Sequence, residues 1–208
     1  MSMPFSFAAA YFIEALIFLL YADAFFVPKS SFLKRLICLG GSYTGLIFLF
    51  SLNLSELNIL LYSLINFILL NALYEMKWYL SAFHAIVLTA LMSACEFLSI
   101  SILSAFAPAF LHHYAEFPYA FLFVLFSKGL FYIAVYLLTF FFRKGDRHLQ
   151  KDWHPLLLLF IPFSTIFTLI SLINIGQTIL LPSAMNRMIA GTAVLLLISN
   201  LFVFGINQ

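Results

Sequence analysis

Charge is what this sequence lacks most. Asp, Glu, Lys and Arg together make up 9% of its 208 residues, where a soluble domain carries about 25%. Too little polar material remains to coat a globule in water. Cysteine is scarce as well: Cys38 and Cys95 both fall inside apolar stretches, so neither a disulfide framework nor a CxxC metal pair is on offer. No basic run suits a nucleic acid. Catalytic signatures are missing too, with no HExxH pair, Walker loop or GxSxG elbow. Gly40-Gly41-Ser42 imitates a serine site only weakly, has no histidine in its segment, and reads as packing. His84 reads as a hydrogen-bonded residue near a segment end rather than a base. No enzymatic chemistry, cofactor or metal is expected of this chain.

What is present is apolar. Hydrophobic residues make up 64% of the chain, aromatics 19%, and the mean hydropathy is +1.09. A helix that spans a bilayer takes about 20 residues, which leaves room for roughly seven spans. Polar punctuation cuts the sequence into seven apolar segments, approximately 5–27, 36–52, 57–74, 80–105, 117–142, 155–173 and 188–207. None alternates polar and apolar residues as a transmembrane strand does, and a bilayer has no water to satisfy an open backbone, so each must be helical. The expected fold is an all-α membrane bundle of about seven transmembrane helices in a single polytopic domain, with six helices as the alternative. No folded aqueous domain fits beside it.

The loops alternate in charge. Lys29, Lys34 and Arg35 follow the first segment, Lys77 the third, and Arg143, Lys144, Arg147 and Lys151 the fifth; the remaining loops hold only Arg187. Lys and Arg are retained on the cytoplasmic side of short loops. This places the N-terminus outside and Gln208 inside. Merging or dropping an internal span would scatter the basic residues over both faces, so seven is preferred to six. Ala22-Asp23-Ala24 resembles a signal cleavage site, but no basic residue precedes it and Glu14 interrupts the apolar stretch, so an uncleaved first helix is expected. Gly41 and Gly45 form a GxxxG spacing that lets another helix approach closely. Pro162 is expected to bend the sixth span.

Glu14, Glu96 and Lys128 lie deep in spans, where a charge costs about 2.5–3.5 kcal/mol on insertion scales and needs a partner or water. Glu14 is nine residues past the outer start of its segment, Glu96 nine before its outer end, and Lys128 eleven past its outer start. At about 1.5 Å per residue all three lie at similar depth, and the fourth and fifth spans are consecutive and antiparallel, so a Glu96–Lys128 pair is sterically reasonable. Steps of three and four residues put Thr89, Ser93, Glu96 and Ser99 on one helix face, and Lys128, Tyr132, Tyr136 and Thr139 on another. Tyr11, Glu14, Phe18 and Tyr21 form an aromatic-acidic stripe, Ser164, Thr168 and Ser171 a hydroxyl stripe, and Tyr62 and Asn66 a smaller patch. These stripes fit interhelical hydrogen bonds. They also fit an outward-open cavity with Glu14, Glu96 and Lys128 as its floor and Tyr132, Tyr11 and Asn66 around it.

Above that cavity the outer loops 106–118 and 174–187 would form a lip, with His112, His113, Tyr114 and Glu116 in the first and Arg187 in the second. His-His-x-x-Glu is a poor metal site, because adjacent histidines point apart and no fourth ligand is near. The aromatic residues of the loop suit a membrane interface or contact with a ligand.

The layout resembles the N-terminal transmembrane sensor region of accessory-gene-regulator-type peptide-sensing bacterial histidine kinases, which carry a GHKL ATPase. The likeness lies in length, in Phe- and Leu-rich spans, in short basic inner loops, and in a last helix, Leu195-Leu196-Leu197-Ile198-Ser199-Asn200-Leu201-Phe202-Val203-Phe204, that enters the cytosol. The resemblance implies the sensing half of a homodimeric receptor in a two-component system. A small hydrophobic peptide would act from outside, and a cytoplasmic kinase domain, absent from this sequence, would carry the output. It covers the whole chain and transfers no functional residue. A different class also fits: a small transport module, such as the substrate-capturing subunit of a vitamin importer.

Overall fold

The computed structural model describes residues 3–51, 55–106, 116, 118–142, 165, 168 and 191–200. These are all-helical apart from short connections: α1 (Met3–Phe25), α2 (Phe32–Ser51), α3 (Ser55–Leu73), α4 (Trp78–Phe106), α5 (Tyr119–Phe142) and α6 (Gly191–Asn200). Four of them, α1, α2, α4 and α5, are long and apolar enough to cross a bilayer. The chain is a multi-pass helical membrane protein. Thr165 and Thr168 are helical; the rest of the expected sixth span, including Pro162, lies outside the described residues.

The helix ends follow from local sequence. Val27-Pro28 ends α1, since proline has no N–H to continue it. Ser31 caps α2, its carbonyl accepting from the Arg35 amide at 3.1 Å, a position where serine is favoured. This cap starts α2 four residues earlier than expected, so Lys34 and Arg35 belong to its first turn rather than to a loop. Pro118 opens α5, its carbonyl accepting from Leu122 N–H at 3.0 Å, as suits a residue with a preset φ at a helix start.

Short connections make consecutive helices antiparallel. Each of the first five helices packs on its sequence neighbours, and α5 returns to pack on α1. The five close a ring in chain order. An odd number cannot alternate all the way round, so α1 and α5 meet as a parallel pair. Outside the ring, Ala193 of α6 packs against Ala94 and Phe97 of α4. With α6 as an extra neighbour, α4 is the most enclosed span, 67% buried against 22% for α2.

The side-chain distribution is inverted relative to a soluble protein. Glu14, Lys128, Asn66, Ser81 and Thr89 are buried, while Phe12, Leu33, Ile37, Phe48 and Phe140 are at least 65% exposed. Leu60, Leu64 and Ile68 form an exposed stripe on α3 at helical spacing. Apolar surface on this scale marks contact with lipid or another apolar partner. Inside, Phe18, Tyr21, Tyr74, Phe83 and Phe131 are fully enclosed.

At one end of the ring two loops clasp each other. Pro28 and Tyr74 form an antiparallel bridge, with Lys29 N–H donating to Leu73 C=O at 2.8 Å and Glu75 N–H to Val27 C=O at 2.9 Å. Arg35 forms an ion pair with Asp23, and the Tyr74 hydroxyl donates to the same Asp23 carboxylate at 2.7 Å. Lys29, Lys34, Arg35 and Lys77 all gather at this end.

Candidate functional site

Glu14 stands at the midpoint of α1, eleven residues from either end. Lys128 is nine residues into α5, and Glu96 ten from the end of α4. Because α1 and α5 run in parallel and α4 runs against both, these positions meet at one level. Lys128 Nζ contacts Oε1 of Glu14 and Oε1 of Glu96 at once. The Lys128 and Glu14 side chains are nearly fully buried, whereas that of Glu96 is 33% exposed. Glu96 and Lys128, whose pairing the sequence leaves open, are in contact, with Glu14 bound to the same ammonium.

A cavity of about 180 Å³ opens beside the trio, lined by residues of α1, α3, α4 and α5 that include Tyr11, Tyr62, Met92, Phe123 and Ser127. Lining residues from α1, α3 and α5 lie no further along than the middle of their helices, and those from α4 no earlier than its middle. The cavity therefore occupies the half of the bundle remote from the basic clasp. Glu14 Oε2, a buried polar atom of its lining, has no hydrogen-bond partner among the described residues.

Other residues singled out by sequence sit elsewhere. Asn66 is fully buried and accepts a hydrogen bond from the Tyr43 hydroxyl at 2.9 Å, one turn past Tyr62 and outside the cavity lining. Tyr132 requires a correction. It is 46% exposed, stacks on Tyr136 along the outside of α5, and does not line the cavity. Each i+4 step turns the helix by about 40° beyond a full circle, so the stripe begun at Lys128 winds out of the interface. The hydroxyl stripes of α4 and α5 are corrected in part, while Ser164 and Ser171 lie outside the described residues. Thr89 donates to Ala85 C=O at 2.8 Å, Ser99 to Cys95 C=O at 2.7 Å and Thr139 to Tyr136 C=O at 2.8 Å, bonds within a helix rather than between helices.

The GxxxG pair is also unused by the described chain: a methyl group on Gly41 or Gly45 would meet nothing within 4 Å. His84 is buried and shares a 2.6 Å hydrogen bond with the Tyr21 hydroxyl, among the rings of Phe26 and Phe83. Glu116 is exposed and its carbonyl accepts from Ala120 N–H at 2.9 Å, at the cavity end of α5. His112, His113, Tyr114 and Arg187 lie outside the described residues.

Sequence reasoning missed Met92, Phe123 and Ser127, although Met92 is one turn from Glu96 and Ser127 adjoins Lys128. Proximity to a costly buried charge was the available signal. It also missed a polar contact beyond the ring, where Asn200 Nδ2 donates to Thr165 Oγ1 at 2.8 Å. Comparison with known proteins finds no matching family model, no matching characterised protein and no matching solved structure.

Proposed function

We propose that this chain is a transmembrane sensor module that detects an extracellular ligand and passes the signal to a cytoplasmic histidine-kinase output. The observation that carries this reading is the buried Glu14–Lys128–Glu96 trio opening on a cavity in the half of the bundle away from the basic residues. Lys and Arg are retained in the cytoplasm, which orients that half outward and the N-terminus outside. Charges kept at membrane depth mark functional sites by default. A ligand that favours one arrangement of α1, α4 and α5 over another shifts their populations, and α6, packed on α4, relays the shift inward. The resemblance to peptide-sensing kinases supports a peptide as the ligand, a homodimer as the assembly and seven spans as the full count.

A second reading has one observation in its favour. The cavity, about 180 Å³, is smaller than the roughly 300–1,000 Å³ of sites for drug-sized molecules. That size suits a small solute and hence a transport module. In the sensing reading, a peptide places only one group in the cavity and lays the rest across the outer loops. A chimaera joining Gln208 to the cytoplasmic part of a peptide-sensing kinase separates the two. Fractionated bacterial culture medium is expected to change its autophosphorylation, and deletion of residues 108–116 to abolish the change while leaving insertion intact. A response unaffected by that deletion, or a silent chimaera alongside saturable solute uptake into vesicles, would overturn the sensor reading.

A further inference from the structure

We propose that the cavity beside Glu14 binds one organic ammonium group, held by the carboxylates of Glu14 and Glu96 and faced by the rings of Tyr11, Tyr62 and Phe123. The inference rests on reading this cavity as the ligand site, and holds whether the output is a signal or a transported solute.

The first argument is charge. Two carboxylates face one ammonium, so the trio carries a surplus negative charge at the middle of the membrane. The basic residues of the described chain other than Lys128 gather at the far end, and Arg35 there is paired with Asp23. A buried charge without a counter-charge is costly, so the surplus calls for a proton or a bound cation. The second argument is the pattern of satisfied atoms. Lys128 engages one oxygen of each carboxylate. Glu14 is only 3% exposed and its Oε2 has no partner among the described residues. Glu14 and Tyr62 line the same cavity, and an ammonium brings three N–H donors to such acceptors.

The third argument is the wall. A water site needs only about 10–15 Å³, so about 180 Å³ is far more than a bare ion fills. Helical segments supply the whole lining, and their backbone carbonyls are committed to the helices, so only side-chain oxygens are left to replace the hydration shell of a sodium or potassium ion. Aromatic faces attract a cation, while Met92, Ile59 and Val124 accept the carbon skeleton attached to it. An amino terminus or a lysine side chain on a peptide meets this description, as does a free alkylamine.

The test is equilibrium binding of radiolabelled propylammonium to the full chain in lipid nanodiscs, at fixed ionic strength, with propanol and sodium as competitors. One saturable site is expected that neither competitor displaces at equal concentration. Glu14→Gln is expected to weaken binding by about tenfold or more, as loss of a charge-assisted hydrogen bond does, and Tyr62→Phe by about two- to tenfold. Should Glu14→Gln fail to fold, judged by helix content and elution volume, Tyr62→Phe and the propanol comparison decide the matter. Equal binding of propanol, displacement by sodium, or intact affinity in the folded variants would overturn the proposal. So would a protonated-carboxyl infrared band that survives saturation with propylammonium, since a proton would then balance the charge. Binding of propylammonium with a silent kinase chimaera and saturable solute uptake leaves this proposal standing and removes the sensor reading. A responding chimaera without propylammonium binding does the reverse.

Discussion

Lys128 contacts two carboxylates at once, so the three residues stand or fall as a unit. Removing one member of a buried ion pair costs about 3–5 kcal/mol, whereas replacing the whole set by apolar groups is often neutral. Lys128→Met is therefore expected to destabilise the chain by about that amount in reversible unfolding from mixed micelles. The triple variant Glu14→Leu, Glu96→Leu, Lys128→Met should recover most of the loss, and a triple variant no more stable than the single would show that the trio is not coupled. The clasp offers a separate titration. Burial first, and then its hydrogen bond to Asp23, push the Tyr74 hydroxyl above the ordinary range for a phenol. A raised pKa in the folded state stabilises the fold while the group stays protonated in both states. That contribution should be intact below about pH 10, the ordinary tyrosine value, and lost as the pH climbs further. Unfolding curves of the wild type and Tyr74→Phe should thus converge only in strong alkali; parallel curves would place the phenol outside the linkage.

At the scale of helices, α2 separates what sequence reveals from what it hides. Its GxxxG spacing suggested close approach, yet Gly41 and Gly45 face open space. Spacing records which residues share a face and not whether another helix lies there. Alanine is a better helix former than glycine by about 1 kcal/mol, so Gly41→Ala with Gly45→Ala should leave the thermal midpoint unchanged or raised. Loss of a crosslinked dimer in the same variant would assign the face to a second copy. The same logic explains the site. Glu14, Glu96 and Lys128 were legible because a charge in an apolar run is too costly to be casual, and their offsets along antiparallel helices fix a common depth. Tyr132 was misread because a four-residue step drifts round the helix. The Asp23–Arg35–Tyr74 cluster was hidden: its members come from three segment ends, and no local pattern ties them together.

For the whole molecule, orientation is the property on which access depends. Single cysteines introduced after replacing Cys38 and Cys95 offer a direct reading. Ala10→Cys, in the cavity lining, should react with a membrane-impermeant maleimide added to intact cells, and a cysteine at Lys77 only after lysis. Labelling in the opposite order would invert the bundle. The closed ring also has a history written into it. Glu14 enters the membrane with the first helix, while Lys128 is synthesised more than a hundred residues later. Until α5 emerges, the nascent chain holds an acid with no lysine to meet it, and the parallel seam between α1 and α5 remains unsealed. A chain halted before that point holds the first four helices without the one that joins the two ends of the row.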